Sequence, residues 1–292
     1  MNRETIQALI FGVAAAFFSG THSVIVRYLA DHIHGTTVAA LRLYVASIAV
    51  FLILKSYRRK IEINWTDRIL LVTVAGFSAN YIVFHWGLEY TGASSAMVLE
   101  NTAPVFVLLI MFLFLREKIR FVEILAVLLA VFGVYFTVRS DFELGPANLF
   151  GDELELLAGL TWAIFIMGSS RALLGSASTF DRLSFLLAVL VLSAIVLTPF
   201  LFIYTLSLSP LDIFLVILLG VFPTAIAYYL WYETASRVSA VTTSILFTLT
   251  VIFTFVNAYI FLGEAITFDM LAGAGLIVAS VLISKIPAKK SE

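Results

Sequence analysis

Apolar runs of about 20 residues recur along this chain, parted by short intervals that hold most of its charge. As helix, such a run crosses about 30 Å of hydrocarbon, whereas a membrane β-strand needs about 9–11 residues of alternating pattern. The runs fall at 6–29, 36–54, 68–89, 93–115, 120–138, 151–174, 183–205, 211–233, 238–262 and 266–286. They predict an all-α integral membrane protein with ten transmembrane helices. With 61% apolar and 13% charged residues, the chain is far from a soluble domain, which has about 45–50% and about 25%. A net charge of -1 gives no basic nucleic-acid surface, and the absence of cysteine removes disulfides, thiol nucleophiles and thiolate metal sites.

Counting Lys and Arg by loop sets an expected orientation. With a cytoplasmic N-terminus, 15 of the 18 basic residues fall on cytoplasmic segments, Arg27 and Arg139 fall outside, and Arg42 lies within a span. Both termini are then expected inside, in a bacterial inner (cytoplasmic) membrane, with the first helix retained rather than cleaved as a signal peptide. A repeat is also visible. Gly92-Ala93-Ser94-Ser95 through Leu115-Arg116-Glu117 matches Ser239-Ala240-Val241-Thr242 through Leu262-Gly263-Glu264 at an offset of 147, and Ala40-Leu41-Arg42-Leu43 answers Phe180-Asp181-Arg182-Leu183. Five spans are followed by five more, and an odd number inverts the second copy in the membrane. The expected division is 1–138, a connector at 139–150 containing Gly145-Pro146, and 151–292, with a substrate site between the halves near the midplane.

The Leu41-Arg42-Leu43 start of the second span, the Gly92-Ala93-Ser94-Ser95-Ala96 opening of the fourth, and the Leu115-Arg116-Glu117-Lys118 and Leu262-Gly263-Glu264-Ala265 closures resemble the EamA-type members of the drug/metabolite transporter superfamily. The resemblance covers essentially the whole chain and within the family is nearest to bacterial exporters of aromatic amino acids. It implies two inverted five-helix repeats that move a small metabolite by alternating access, the fifth and tenth helices serving as scaffold. One departure is Phe18, at the place where the second half has Trp162.

Ionisable residues deep in the spans are costly and need a reason. Arg42 and Glu100 each lie on the order of 10 Å below the same boundary and can reach each other. They form either an ion pair locking the second and fourth helices or two cavity groups, Arg42 meeting a substrate carboxylate and Glu100 an ammonium or a proton. His22 and His85 are intramembrane histidines; His85 shares a stripe with Ser78 and Tyr81. Asn80 and Asn101 must point inward, because lipid cannot satisfy their amides. In the second half Thr224 and Tyr228, and Ser244 and Thr248, are spaced by four, and Trp162 and Tyr228 lie near mid-span rather than in the interfacial belts. The expected contacts are Tyr81, Trp162 and Tyr228 for an aromatic side chain, and Arg42, Glu100, His85, Asn101, Ser244 and Thr248 for polar groups. Pro104, Pro199 and Pro223 each remove a helical hydrogen bond and mark points of bending.

This pattern predicts a carrier that exports amino acids, with membrane lipid around it, no cofactor, no metal, no nucleic-acid partner, and a monomer as its unit. Glu100 and His85 are the proton carriers in view, so proton antiport and concentration-driven export both stay open. A sugar phosphate is the alternative cargo, but it calls for several cavity cations and only Arg42 lies inside a span. An intramembrane enzyme needs a nucleophile with its base, or a metal set. There is no Gly-x-Ser-x-Gly elbow, the histidines stand on separate helices, and the intramembrane acids are read as unclustered.

Overall fold

The computed structural model describes residues 3–115, 121–139, 145–173, 178–204, 206–235, 237 and 240–284. The first half contains α1 (Arg3–Ala30), α2 (Gly35–Ser56), α3 (Arg68–Gly87), α4 (Ala93–Glu100), α5 (Ala103–Leu115) and α6 (Phe121–Val138). The second contains α7 (Pro146–Leu173), α8 (Thr179–Leu197), the single turn α9 (Phe200–Ile203), α10 (Pro210–Gly220), a π-helical turn (Val221–Ile226), α11 (Ala227–Ala235), α12 (Ala240–Leu262) and α13 (Phe268–Ser284). Within the described residues every expected apolar run is occupied by helix, and the fourth, seventh and eighth are interrupted. Among the described residues, six stretches are long and apolar enough to cross a membrane: Ile6–Ala30, Gly35–Ser56, Arg68–Gly87, Ala93–Phe114, Thr179–Ile203 and Pro210–Thr234. α6, α12 and α13 contribute shorter apolar segments.

Polar residues at the run boundaries start and stop the helices. Asp67 accepts from the backbone N–H groups of Ile69 and Leu70 at 2.8 and 3.0 Å, satisfying amides that α3 leaves open. Ser209 and Asp212 form a reciprocal capping box at α10. Gly263, with φ +67°, turns the chain out of α12 through the left-handed region. The next residue, Glu264, then caps a helix of the other half, accepting from Ala93 N at 2.7 Å and Ser94 N at 3.1 Å. A carboxylate at a helix N-terminus is favoured by the backbone dipoles. The Glu of the Leu-Gly-Glu-Ala sequence is therefore a tie between the repeats.

Contacts among loops separate two ends of the bundle. At one, which we call the His34 end, His34 stacks on Tyr204 with ring centroids 3.6 Å apart, and His32 Nε2 lies 2.9 Å from Asp212. At the other, the Lys60 end, Arg59 lies over the Phe180 ring and Arg182 pairs with Glu233. Successive spans thus alternate in direction. The packing between halves repeats when the halves are exchanged: α3 lies on α7 as α1 lies on the segment from α10 to α11, and α1 lies on α12 as α4 and α5 lie on α7. The pairs α2 with α8 and α6 with α13 map onto themselves. This is the signature of a pseudo-two-fold axis between inverted repeats.

Small residues set how closely these helices approach. A Cβ at Gly20 would lie 2.6 Å from Phe253 Cβ, and the Gly20 carbonyl accepts from Thr254 Oγ1 and Asn257 Nδ2, both at 3.3 Å. At the α6–α13 crossing, Gly133 meets Ile277 and the carbonyl of Gly273. Gly275 takes no part in such packing, since nothing lies within 4 Å of a Cβ placed there.

Candidate functional site

Two interrupted helices bring polar backbone into the interior. Pro223 has no N–H to give to the carbonyl of Leu219, four residues earlier. The helix widens into the π turn, and the Thr224 hydroxyl donates to Leu219 O at 2.8 Å instead. Pro104 likewise cannot donate to the carbonyl of Glu100, where α4 stops, and Thr102 Oγ1 donates to Leu99 O at 2.6 Å. Such breaks are tolerated at membrane depth only where the backbone is buried in protein or lines a cavity.

Arg42 reaches the first break. Its Nε donates to Thr224 Oγ1 at 2.6 Å, Nη2 points to Pro223 O at 3.5 Å, and Nη1 lies 3.4 Å from His85 Nε2. Its guanidinium sits 5.0 Å from the centroid of the Tyr81 ring. The residue is 3% exposed. Because Arg42 can only donate, the His85 tautomer that accepts at Nε2 is the one that fits here. Every one of these partners is formally neutral, and no carboxylate of the described residues lies within ion-pair distance of Arg42.

Glu100, just before the second break, is engaged elsewhere. Asn80 Nδ2 donates to Glu100 Oε1 at 2.9 Å and to Ala158 O at 3.0 Å, which pins the carboxyl against α7. The expected reach between Arg42 and Glu100 therefore does not close into a salt bridge, although each still acts on the other electrostatically. Asn80 and Thr224, rather than an opposite charge, satisfy the two groups.

The aromatic residues named from the sequence converge. Tyr81, Trp162 and Tyr228 surround Phe77, whose ring lies 4.4 Å from Tyr81, 6.3 Å from Trp162 and 5.7 Å from Tyr228. Phe165 closes the group, 4.6 Å from Trp162 and 6.1 Å from Tyr228. Phe77 and Phe165 are buried, while Trp162 and Tyr228 keep partial exposure. His85 stacks on Tyr81 at 5.1 Å and joins this box to the Arg42 cluster. Phe77 and Phe165 were not singled out from sequence; Phe77 shares an i, i+4 stripe with Tyr81, which is the signal that finds it.

The remaining expected residues fall apart from this group. Asn101 turns back on its own helix, its Nδ2 donating to Met97 O at 2.7 Å and meeting Met97 Sδ at 3.2 Å. The side chains of Ser244 and Thr248 lie outside the described residues. His22 bonds the carbonyl of Ser19 and packs 5.0 Å from the Phe84 ring. One expectation is corrected: the intramembrane acids do cluster. Glu155, unremarked in the sequence, is fully buried and has Glu100 and Asp152 as electrostatic neighbours. Asp152 Oδ1 in turn accepts from Thr91 Oγ1 at 2.7 Å. Asp152 and Glu155 stand three apart on α7, a spacing open to sequence, but Glu100 joins them from α4, which spacing could not reveal.

A solved crystal structure superposes with a TM-score of 0.63 at 16% identity, covering 95% of this chain and 96% of its own, a likeness of fold. An uncharacterized transporter of Archaeoglobus fulgidus is 26% identical over 91% of this chain and 94% of its own length. The threonine/homoserine exporter RhtA of Escherichia coli strain K12 is 27% identical over 87% of this chain and 82% of its own. The profile of the EamA-like transporter family matches residues 6–139 and 149–285. With both halves matched, the chain belongs to the EamA-like transporter family.

Proposed function

We propose that this protein exports amino acids, aromatic ones foremost, by alternating access, the half at 1–138 rocking against the half at 151–292 about a site between Arg42 and the Phe77 box. The observation that carries this reading is the Arg42 guanidinium, buried with formally neutral partners only among the described residues. A buried cation with no counter-ion is costly, and a carboxylate brought by the cargo supplies the missing charge with strong charge-assisted hydrogen bonds. Tyr81, Trp162 and Tyr228 offer ring faces one helical step away, suited to a flat apolar side chain. Glu100 supplies a negative group for the ammonium. In this reading the basic Lys60 end is cytoplasmic, both termini lie on that side, and the membrane is a bacterial inner membrane.

Proteoliposomes containing this protein alone test the proposal. Efflux of Trp and Phe is expected to exceed that of Ala and Thr, with a sugar phosphate excluded. Equal rates for Ala and Trp overturn the aromatic assignment, and efflux of the sugar phosphate alone overturns the amino acid. A second reading, export of small hydroxylated amino acids, is favoured by the likeness to RhtA; in that case Thr and homoserine outrun Trp in the same assay.

A further inference from the structure

We propose that Glu155, with Glu100 beside it, is the site where a proton binds and leaves during the transport cycle; this rests on the alternating-access reading above. Glu155 is 0% exposed, and among the described residues neither of its carboxyl oxygens has a hydrogen-bond partner. Its Oε1 fills the space over Gly87, where a Cβ would come within 2.5 Å of it. The carboxyl is thus lodged in a slot that only a glycine on α3 leaves open.

An ionised carboxylate removed from water, with no donor on either oxygen, is too costly to persist, so the closed slot holds the carboxylic acid. The ionisable groups facing it strengthen this. Glu100 from α4 and Asp152 from α7 itself act on Glu155, and both are acids; α5 has no ionisable residue, and on α3, whose basic residues are Arg68 and His85, it is Gly87 that lies against the carboxyl. Like charges so placed disfavour one another's ionisation. Glu100 also lies within the field of Arg42, which joins the slot electrostatically to the place proposed for the cargo carboxylate.

The seam itself supplies the coupling. α3 belongs to the first half and α7 to the second, and they pack closely along their length: a Cβ at Gly76 would sit 2.7 Å from Phe165 N, and one at Gly168 would sit 2.3 Å from Thr73 Oγ1. Closing the seam requires Glu155 to carry a proton. Parting the halves admits water, after which the carboxyl can ionise and the proton can leave to the side that is open. A conformational cycle built this way responds to a pH gradient.

Infrared spectroscopy of the reconstituted protein without cargo reads the site directly. At neutral pH the wild type is expected to show a protonated carboxylic acid band that E155Q loses and E155D shifts. In proteoliposomes, a pH gradient is expected to accelerate export by the wild type, and E155Q is expected to lose this response. If E155Q does not insert, E155D carries both measurements. A band unchanged in E155Q and E155D, or its absence from the wild type, overturns the proposal. So does a gradient response that persists in E155Q. If the band behaves as expected but no amino acid moves, the proton site stands and the cargo assignment fails; if amino acids move and the band does not depend on Glu155, the reverse holds.

Discussion

Arg42 and Arg182 occupy matching places in the two repeats, yet only Arg182 is met by a carboxylate, with Glu233 Oε1 2.9 Å from its Nη2. The Arg42 guanidinium is held by Thr224, His85 and the Pro223 carbonyl instead. The two repeats thus carry a cation at matching places but surround it differently. A structural ion pair of this kind gains little when it is exposed and depends on full hydrogen bonding when it is buried. Removing either arginine should therefore have a different effect. R42Q should weaken apparent cargo affinity by about 10- to 100-fold, the scale of one or two charge-assisted hydrogen bonds, with insertion intact. R182Q should lower thermal stability in detergent while leaving the half-saturation concentration close to wild type. Efflux kinetics and melting curves on the two variants separate the roles.

Thr224 holds two partners through one oxygen, donating to Leu219 O and accepting from Arg42 Nε. T224S keeps both bonds and should behave as wild type. T224V leaves a buried carbonyl and a buried guanidinium N–H unpaired, each costing about 1–3 kcal/mol. Its melting temperature and its export rate should both fall, and a T224V protein indistinguishable from T224S would show that the π turn does not depend on this hydroxyl.

The aromatic box makes a claim about selectivity. W162A and Y228A remove partly exposed rings that pack on Phe165 and Phe77, so each should reduce Trp export several-fold with little effect on insertion. F77A removes the buried centre and should cost about 3–5 kcal/mol in stability. Comparing efflux with the amount of folded protein distinguishes these effects.

Gly35 and Gly275 are both helical glycines with opposite surroundings. A Cβ at Gly35 would lie 1.9 Å from the His85 carbonyl oxygen, a backbone atom that cannot swing aside, whereas Gly275 has nothing within 4 Å. G35A should force α2 away from the end of α3 and sharply reduce the yield of folded protein. G275A should be neutral or stabilising by up to about 1 kcal/mol, since alanine outperforms glycine within a helix.

The loop before α2 should sense acid. His34 Nδ1 accepts from Thr36 N at 3.3 Å and from Thr36 Oγ1 at 2.8 Å, capping α2 only while the ring is neutral. Burial holds this imidazole below its ordinary 6.5. Its contribution to stability is therefore present above pH 6.5 and is lost as pH falls from there toward the lower folded-state value. Glu89, whose Oε1 lies 3.3 Å from His34 Nδ1, is itself shifted upward by burial, partly offset by the Gly35 N–H, so its own titration does not add to the loss of stability in acid. H34N keeps a capping acceptor that does not titrate. Its melting temperature should fall less than that of the wild type between about pH 7 and pH 5.

The helices were legible in the sequence because hydrocarbon penalises backbone and charge residue by residue, so each apolar run is decided locally and ends where polar residues return. The duplication was legible for the same reason, as a repeated order of runs and of short sequences such as Leu-Gly-Glu-Ala. Tyr81, Trp162, Tyr228 and Arg42 could be picked out one by one as residues too polar or too bulky for their depth. Their partners could not. Arg42 meets Thr224 across 182 positions of sequence, and that contact exists because Pro223 opens a π turn. Glu155 passed as one acid among three near a helix start. Only the tertiary structure lays it over Gly87 and beside Glu100, because which side chains face each other is set by how closely helices from opposite halves approach, and that distance is a property of two surfaces at once.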